Sequence, residues 1–219
     1  MNVSAVELMA RVRQRYAGCG SYADQGRQTS TLAGDGAAGG ARKIIEFRTR
    51  FRRSGEFYFE YRTRMERADG GCHPFRSRCV IWRTGGRARS WWSVGNQTRE
   101  AELVMLIAGA TGVSGCSALD IPALLMPEEI GGGSLDVLRG PREAPDGGAG
   151  VENGLRRIAT DWGGGGGTRE VTIDPGTLLI RRFDFELSAF GSNPERARQI
   201  RADLERRHGP LTPELERAI

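Results

Sequence analysis

The chain has 219 residues, 38% of them hydrophobic, and carries 32 basic against 27 acidic groups for a net charge of +5. That length suffices for one domain with a sizeable core, and no apolar run approaches the ~20 residues that a membrane-spanning helix needs. Lys43 is the single lysine, so the basic charge is almost wholly guanidinium, a bias that a GC-rich genome produces unaided and that is weak evidence for a polyanion partner.

The charge is segregated along the chain. Residues 42–89 hold 14 basic and 5 acidic groups, whereas residues 99–161 hold 5 basic and 10 acidic. Arginines on the wet face of a sheet suit an anionic membrane surface or an acidic envelope protein as partner, and a plain solvated strand face is the simpler account of them. Residues 1–18 contain no apolar run of signal-peptide length. Two settings stay open: periplasm or cell envelope if a leader was removed, cytoplasm if the chain is complete as given.

In chain order, Val6, Leu8, Met9, Val12 and Tyr16 fall at helical spacing between arginines, with Ser4 as N-cap and Gly18 and Gly20 as stop. Ser21 to Leu32 reads as a polar first strand and Ala33 to Gly40 as a loop. From Lys43 to Arg53 the side chains alternate: Ile45, Phe47, Thr49 and Phe51 on one face, Glu46, Arg48, Arg50 and Arg52 on the other. After a turn at Ser54-Gly55, Phe57, Phe59 and Tyr61 alternate with Tyr58, Glu60 and Arg62, so one hairpin surface is aromatic and the other charged.

Two further strands, one holding Trp82 and one running Ala88 to Val94, join through Thr84-Gly85-Gly86-Arg87, a tight-turn signal. Trp91 and Trp92 must point to opposite faces. A helix then begins at Ala101, with Glu100 and Glu102 in its first turn and Leu103, Met105, Leu106 and Ile107 in its apolar band. Ser117 to Pro127 reads as a second apolar element broken at Pro122, followed by loops with a strand at Leu135 to Leu138. The strands Leu155 to Trp162, Arg169 to Ile173 and Leu178 to Leu187 resume the sheet, and Asn193-Pro194 opens a charged helix to His208.

Chemistry finds little support. The two histidines, His73 and His208, lack a recognisable partner, Gly112-Val-Ser-Gly is not a nucleophile elbow, and Gly163 to Gly167 lacks the Gly-Lys-Ser/Thr of a phosphate loop. Cys72, His73 and Cys79 have no second pair to complete a zinc site; a Cys72–Cys79 disulfide is one option, with unpaired thiols as the default. No catalytic residue, metal or cofactor is expected. Separation of the arginines from the rings also argues against stacking of nucleic-acid bases.

Three stretches carry a family resemblance: Val80-Ile-Trp-Arg-Thr-Gly-Gly-Arg-Ala-Arg-Ser-Trp-Trp-Ser-Val, Gly109-Ala-Thr-Gly-Val-Ser-Gly and Thr172-Ile-Asp-Pro-Gly-Thr-Leu-Leu-Ile-Arg-Arg. In their order around an apolar helix, they make residues 4 to 187 resemble the LolA-like superfamily, which includes outer-membrane lipoprotein-sorting proteins. The resemblance implies an α+β fold, an unclosed β-barrel of curved antiparallel sheet with a helical lid, and an interior that receives an acyl chain, without enzyme activity. It divides the chain into a half-barrel domain, residues 1–190, with a helical insert at about 100–126, and a charged helical appendage, residues 191–219.

Combined with the alternation, it assigns the cavity lining to Phe47, Phe51, Phe57, Phe59, Tyr61 and Trp82 of the sheet and to Trp92, Phe183 and Phe185 beside them. Leu103, Leu106 and Ile107 form the cover. The same side chains also suit a filled core under a helix, which leaves open a module that docks an envelope partner through its arginine face.

Overall fold

The computed structural model describes residues 3–32, 41–66, 72–130, 138–144, 154–161 and 168–185. Six strands pair antiparallel, each with the next in the chain: β1 Ser21–Leu32, β2 Ala41–Arg52, β3 Glu56–Glu66, β4 Cys72–Thr84, β5 Ala88–Trp92 and β6 Gln97–Ala101. The β4–β5 connection places Gly85 and Gly86 at φ +79° and +61°, the positive values that both central residues of a primed hairpin turn adopt.

Register converts the sequence alternation into two chemically distinct faces. Phe51 lies opposite Phe57, Thr49 opposite Phe59, Phe47 opposite Tyr61, and Ile81 and Cys79 continue this inner face on β4. Its rings make a chain of contacts, Phe47–Phe59 at 6.5 Å, Phe59–Tyr61 at 6.3 Å and Tyr61–Trp92 edge-on at 6.2 Å, offset geometries that the ring quadrupole favours. Arg48 opposes Glu60 on the outer face.

Three helices cover the inner face: α1 Ala5–Ala17, α2 Leu103–Thr111 and α3 Ser117–Leu125. Ser4 Oγ accepts from the Glu7 N–H at 3.2 Å to cap α1, which buries Leu8, Met9, Val12 and Tyr16. α2 starts two residues later than the sequence suggests. Residues 97–101 instead form β6, where Glu100 pairs with Arg89 at 2.9 Å, so cross-strand pairing overrides helix propensity. α3 runs unbroken through Pro122, and all nine of its residues are buried; their packing outweighs the one backbone hydrogen bond that proline forfeits.

The remaining strands do not extend the first sheet. β7 Arg142–Glu143, β8 Arg156–Asp161, β9 Thr168–Asp174 and β10 Leu179–Phe185 make a second antiparallel sheet in the order β10-β9-β8-β7. Because α3 is buried all round, these strands pack beyond the insert and contribute Ile158, Val171 and Ile173 to the same core. α1 ties the two sheets: its Ala5 N–H donates to Glu143 Oε1 at 3.1 Å, and the Arg53 guanidinium of the first sheet caps its last carbonyls. Among the described residues no strand joins β1 to β10, and the barrel is not closed. Of the expected strand at Leu135 to Leu138 the last residue alone is described, buried and in a turn, while the helix from Asn193 and the appendage fall outside the described residues.

Candidate ligand-binding cleft

Among the described residues β1 and β10 each have a hydrogen-bonded neighbour on one side only, and both line a cleft of about 780 Å³. That volume lies within the range of small-molecule sites. Phe47, Ile121, Leu179, Ile180 and Phe183 give the cleft an apolar component. Phe47 reaches it because its opposite residue on β1 is Gly26: a Cβ there would lie 2.4 Å from the ring's Cζ.

Polar side chains brace the same space. Tyr22 OH donates to Asp24 Oδ2 at 3.0 Å, and Asp24 Oδ1 accepts from the Thr49 N–H at 3.0 Å. Burial pushes the Asp24 carboxyl and the Tyr22 phenol up from their ordinary values, and the Asp24 carboxylate beside it adds to the shift of the phenol. Tyr16 OH, its ring 5.4 Å from that of Tyr22, accepts from the Ile180 N–H at 3.1 Å and so joins α1 to the β10 edge. The Gln28 amide, oriented to satisfy its acceptors, donates to the Ser114 and Gly115 carbonyls at 3.1 and 2.8 Å and pins the α2–α3 connection to β1.

One turn of α3 presents Ser117, Asp120 and Ile121 to the cleft. Asp120 forms an ion pair with Arg169 of β9, both nearly free of solvent exposure at 4% and 1%. The guanidinium lies 4.1 Å from the centre of the Phe183 ring. Burial raises the Asp120 carboxyl above its ordinary value, against the pull of Arg169.

Of the twelve side chains assigned to a cavity from sequence, eleven are described, and of these Phe47 and Phe183 line this cleft. Phe51, Phe57, Phe59, Tyr61, Leu103, Leu106 and Ile107 are at most 8% exposed and sit in one continuous core, packed directly against the helices. Trp92 is half-buried against Tyr61. Trp82 belongs elsewhere: it opposes Tyr58, and the two-residue period puts both on the outer face. Phe185 pairs with Arg169 through the backbone, and its side chain lies outside the described residues. Cys79 is a free buried thiol, pushed up to about 12 by desolvation, so a Cys72–Cys79 disulfide is not formed.

Sequence reading missed Asp120, Gln28 and Gly26. A signal for the first was present, since Asp120 is the only charged residue between Leu103 and Met126, and a lone carboxylate in an apolar segment marks either a buried pair or a site. Gln28 and Gly26 have no such signal, because their roles depend on what packs across from β1.

On the outer face the arginines are organised around an acidic centre. Glu60, 2% exposed, accepts from Tyr58 OH at 2.6 Å, Arg48 Nε at 2.8 Å, Arg62 Nε at 2.9 Å and Arg78 Nε at 2.8 Å. A smaller concavity of about 460 Å³ lies beside Arg62, Arg64, Arg76 and Arg78. No family model, curated protein or solved structure matches the chain.

Proposed function

We propose that this is a non-enzymatic binding or carrier protein that takes the acyl chain of a lipid or lipoprotein into the cleft between β1 and β10, and that it works in the bacterial cell envelope. The cleft carries the reading: about 780 Å³ flanked by Phe47 and Phe183, with polar groups fixed around it, suits a molecule with one greasy and one polar part. The resemblance to the LolA-like superfamily supports the same class of ligand. Because the rings behind Phe47 are a filled core, the chain enters at the meeting of the two sheet edges and not beneath α2.

Burial of a methylene contributes about 0.8 kcal/mol, so ten methylenes supply a gross ~8 kcal/mol before ordering costs are subtracted. Docking through the arginine face is the weaker reading, since Arg48, Arg62 and Arg78 already serve Glu60. Native mass spectrometry of protein purified without detergent, with titration of a fluorescent acyl probe, tests the proposal. Retained lipid or saturable probe binding is expected. Bare polypeptide in every preparation, with no saturation by the probe, overturns it.

A further inference from the structure

Among the described residues that line the cleft, Asp120 is the one with a buried side-chain atom that lacks a hydrogen-bond partner. Its Oδ2 is bound by Arg169, but its Oδ1 accepts no hydrogen bond from any described residue. The neighbouring groups are engaged: Asp24 by Tyr22 and Thr49, Gln28 by the Ser114 and Gly115 carbonyls, Arg181 by Asp174 at 2.9 Å and Arg182 by Asp184 at 2.7 Å. A buried acceptor without a donor is costly, and a ligand that brings the donor recovers that cost on binding.

Charge narrows what the donor belongs to. Asp120 and Arg169 together are neutral, and both are almost completely buried. A carboxylate head group would set acceptor against acceptor at Oδ1, and an ammonium would add an uncompensated charge beside Arg169. An uncharged hydroxyl does neither. We propose that the cleft selects a chain ending in an uncharged hydroxyl head group, a long-chain alcohol or a monoacylglycerol, whose O–H donates to Asp120 Oδ1. This rests on the reading of the cleft as a chain-binding site.

The experiment displaces a fluorescent acyl probe from the full chain with dodecanol, monolaurin, laurate, dodecylamine and dodecyl methyl ether. The two hydroxyl compounds should compete at least about tenfold better than the other three, the size of one buried hydrogen bond. The ether tests the donor in the unmodified protein, because it keeps the oxygen and loses the proton. Asp120→Leu combined with Arg169→Leu removes both charges at once, so neither is stranded, and should level the series, read as the ratios among the five compounds. Equal or tighter binding of laurate, amine or ether, or a hydroxyl preference that survives the double substitution, overturns the inference and leaves chain binding intact. If no compound displaces the probe and the probe itself does not saturate, the chain-binding reading falls with it.

Discussion

The Phe47 ring occupies the space that a side chain at residue 26 would fill: Gly26 opposes Phe47 on β1, and an added Cβ would sit 2.4 Å from Cζ and 2.8 Å from Cε1. The glycine is there for close approach, since strand geometry itself asks for no glycine at this position. Gly26→Val should drive the ring off β1 and into the cleft. Affinity for an acyl probe is expected to drop at least about tenfold, while thermal melting moves little because valine suits a strand. Unchanged affinity would show that Phe47 is not part of the binding wall.

Arg53 closes the ends of two helices. Its Nη1 donates to the Leu125 carbonyl of α3 at 2.8 Å, its Nη2 to the Ala17 carbonyl of α1 at 2.5 Å, and its guanidinium lies 4.8 Å from the centre of the Phe51 ring. Helix C-termini present unpaired carbonyls and partial negative charge, so one cation serves both. Arg53→Met should cost about 3 kcal/mol in urea unfolding. Amide exchange should quicken in α1 and α3 before it does in β2 and β3; an unaltered unfolding midpoint would count against this role.

Glu60 makes the outer face sensitive to acid. Burial raises its carboxyl, but hydrogen bonds from Tyr58, Arg48 and Arg62 and the charge of Arg78 outweigh that and hold it at about 2, below the ordinary 4.5. A depressed folded-state value stabilises the protein above the ordinary value, and the stabilisation is lost as pH falls from 4.5 towards 2. The contribution at neutral pH is on the order of 3 kcal/mol. Urea unfolding at pH values across that window should show the loss in the unmodified protein and its absence in Glu60→Gln, which should be less stable at neutral pH. Parallel pH profiles for the two proteins would remove Glu60 from the explanation.

The division between core and cleft can be checked directly. Phe59 is 0% exposed and makes ring contacts on two sides, so Phe59→Ala should cost about 3–5 kcal/mol. Trp82, half-buried on the outer face, should cost only about 1 kcal/mol on truncation to alanine. Under conditions where both variants remain folded, neither should alter the stoichiometry of probe binding. A selective loss of binding in Phe59→Ala, with stability kept, would place the ligand deeper than the cleft.

Local patterning was enough to read the hairpin of β2 and β3, the aromatic identity of its inner face, the opposite orientations of Trp91 and Trp92, and the helix after Ser4, because side-chain alternation and capping are set by residues near in sequence. What covered that face was not local. Apolar residues fill a core or line a cavity with the same chemistry, and the burial of Phe51, Phe57, Phe59 and Tyr61 in one cluster with the helices makes that face core. The same long-range packing carried α3 through Pro122 and sent the later strands into a second sheet. It also turned a polar first strand into one wall of a cleft, where Asp120 meets Arg169 across 49 residues of chain.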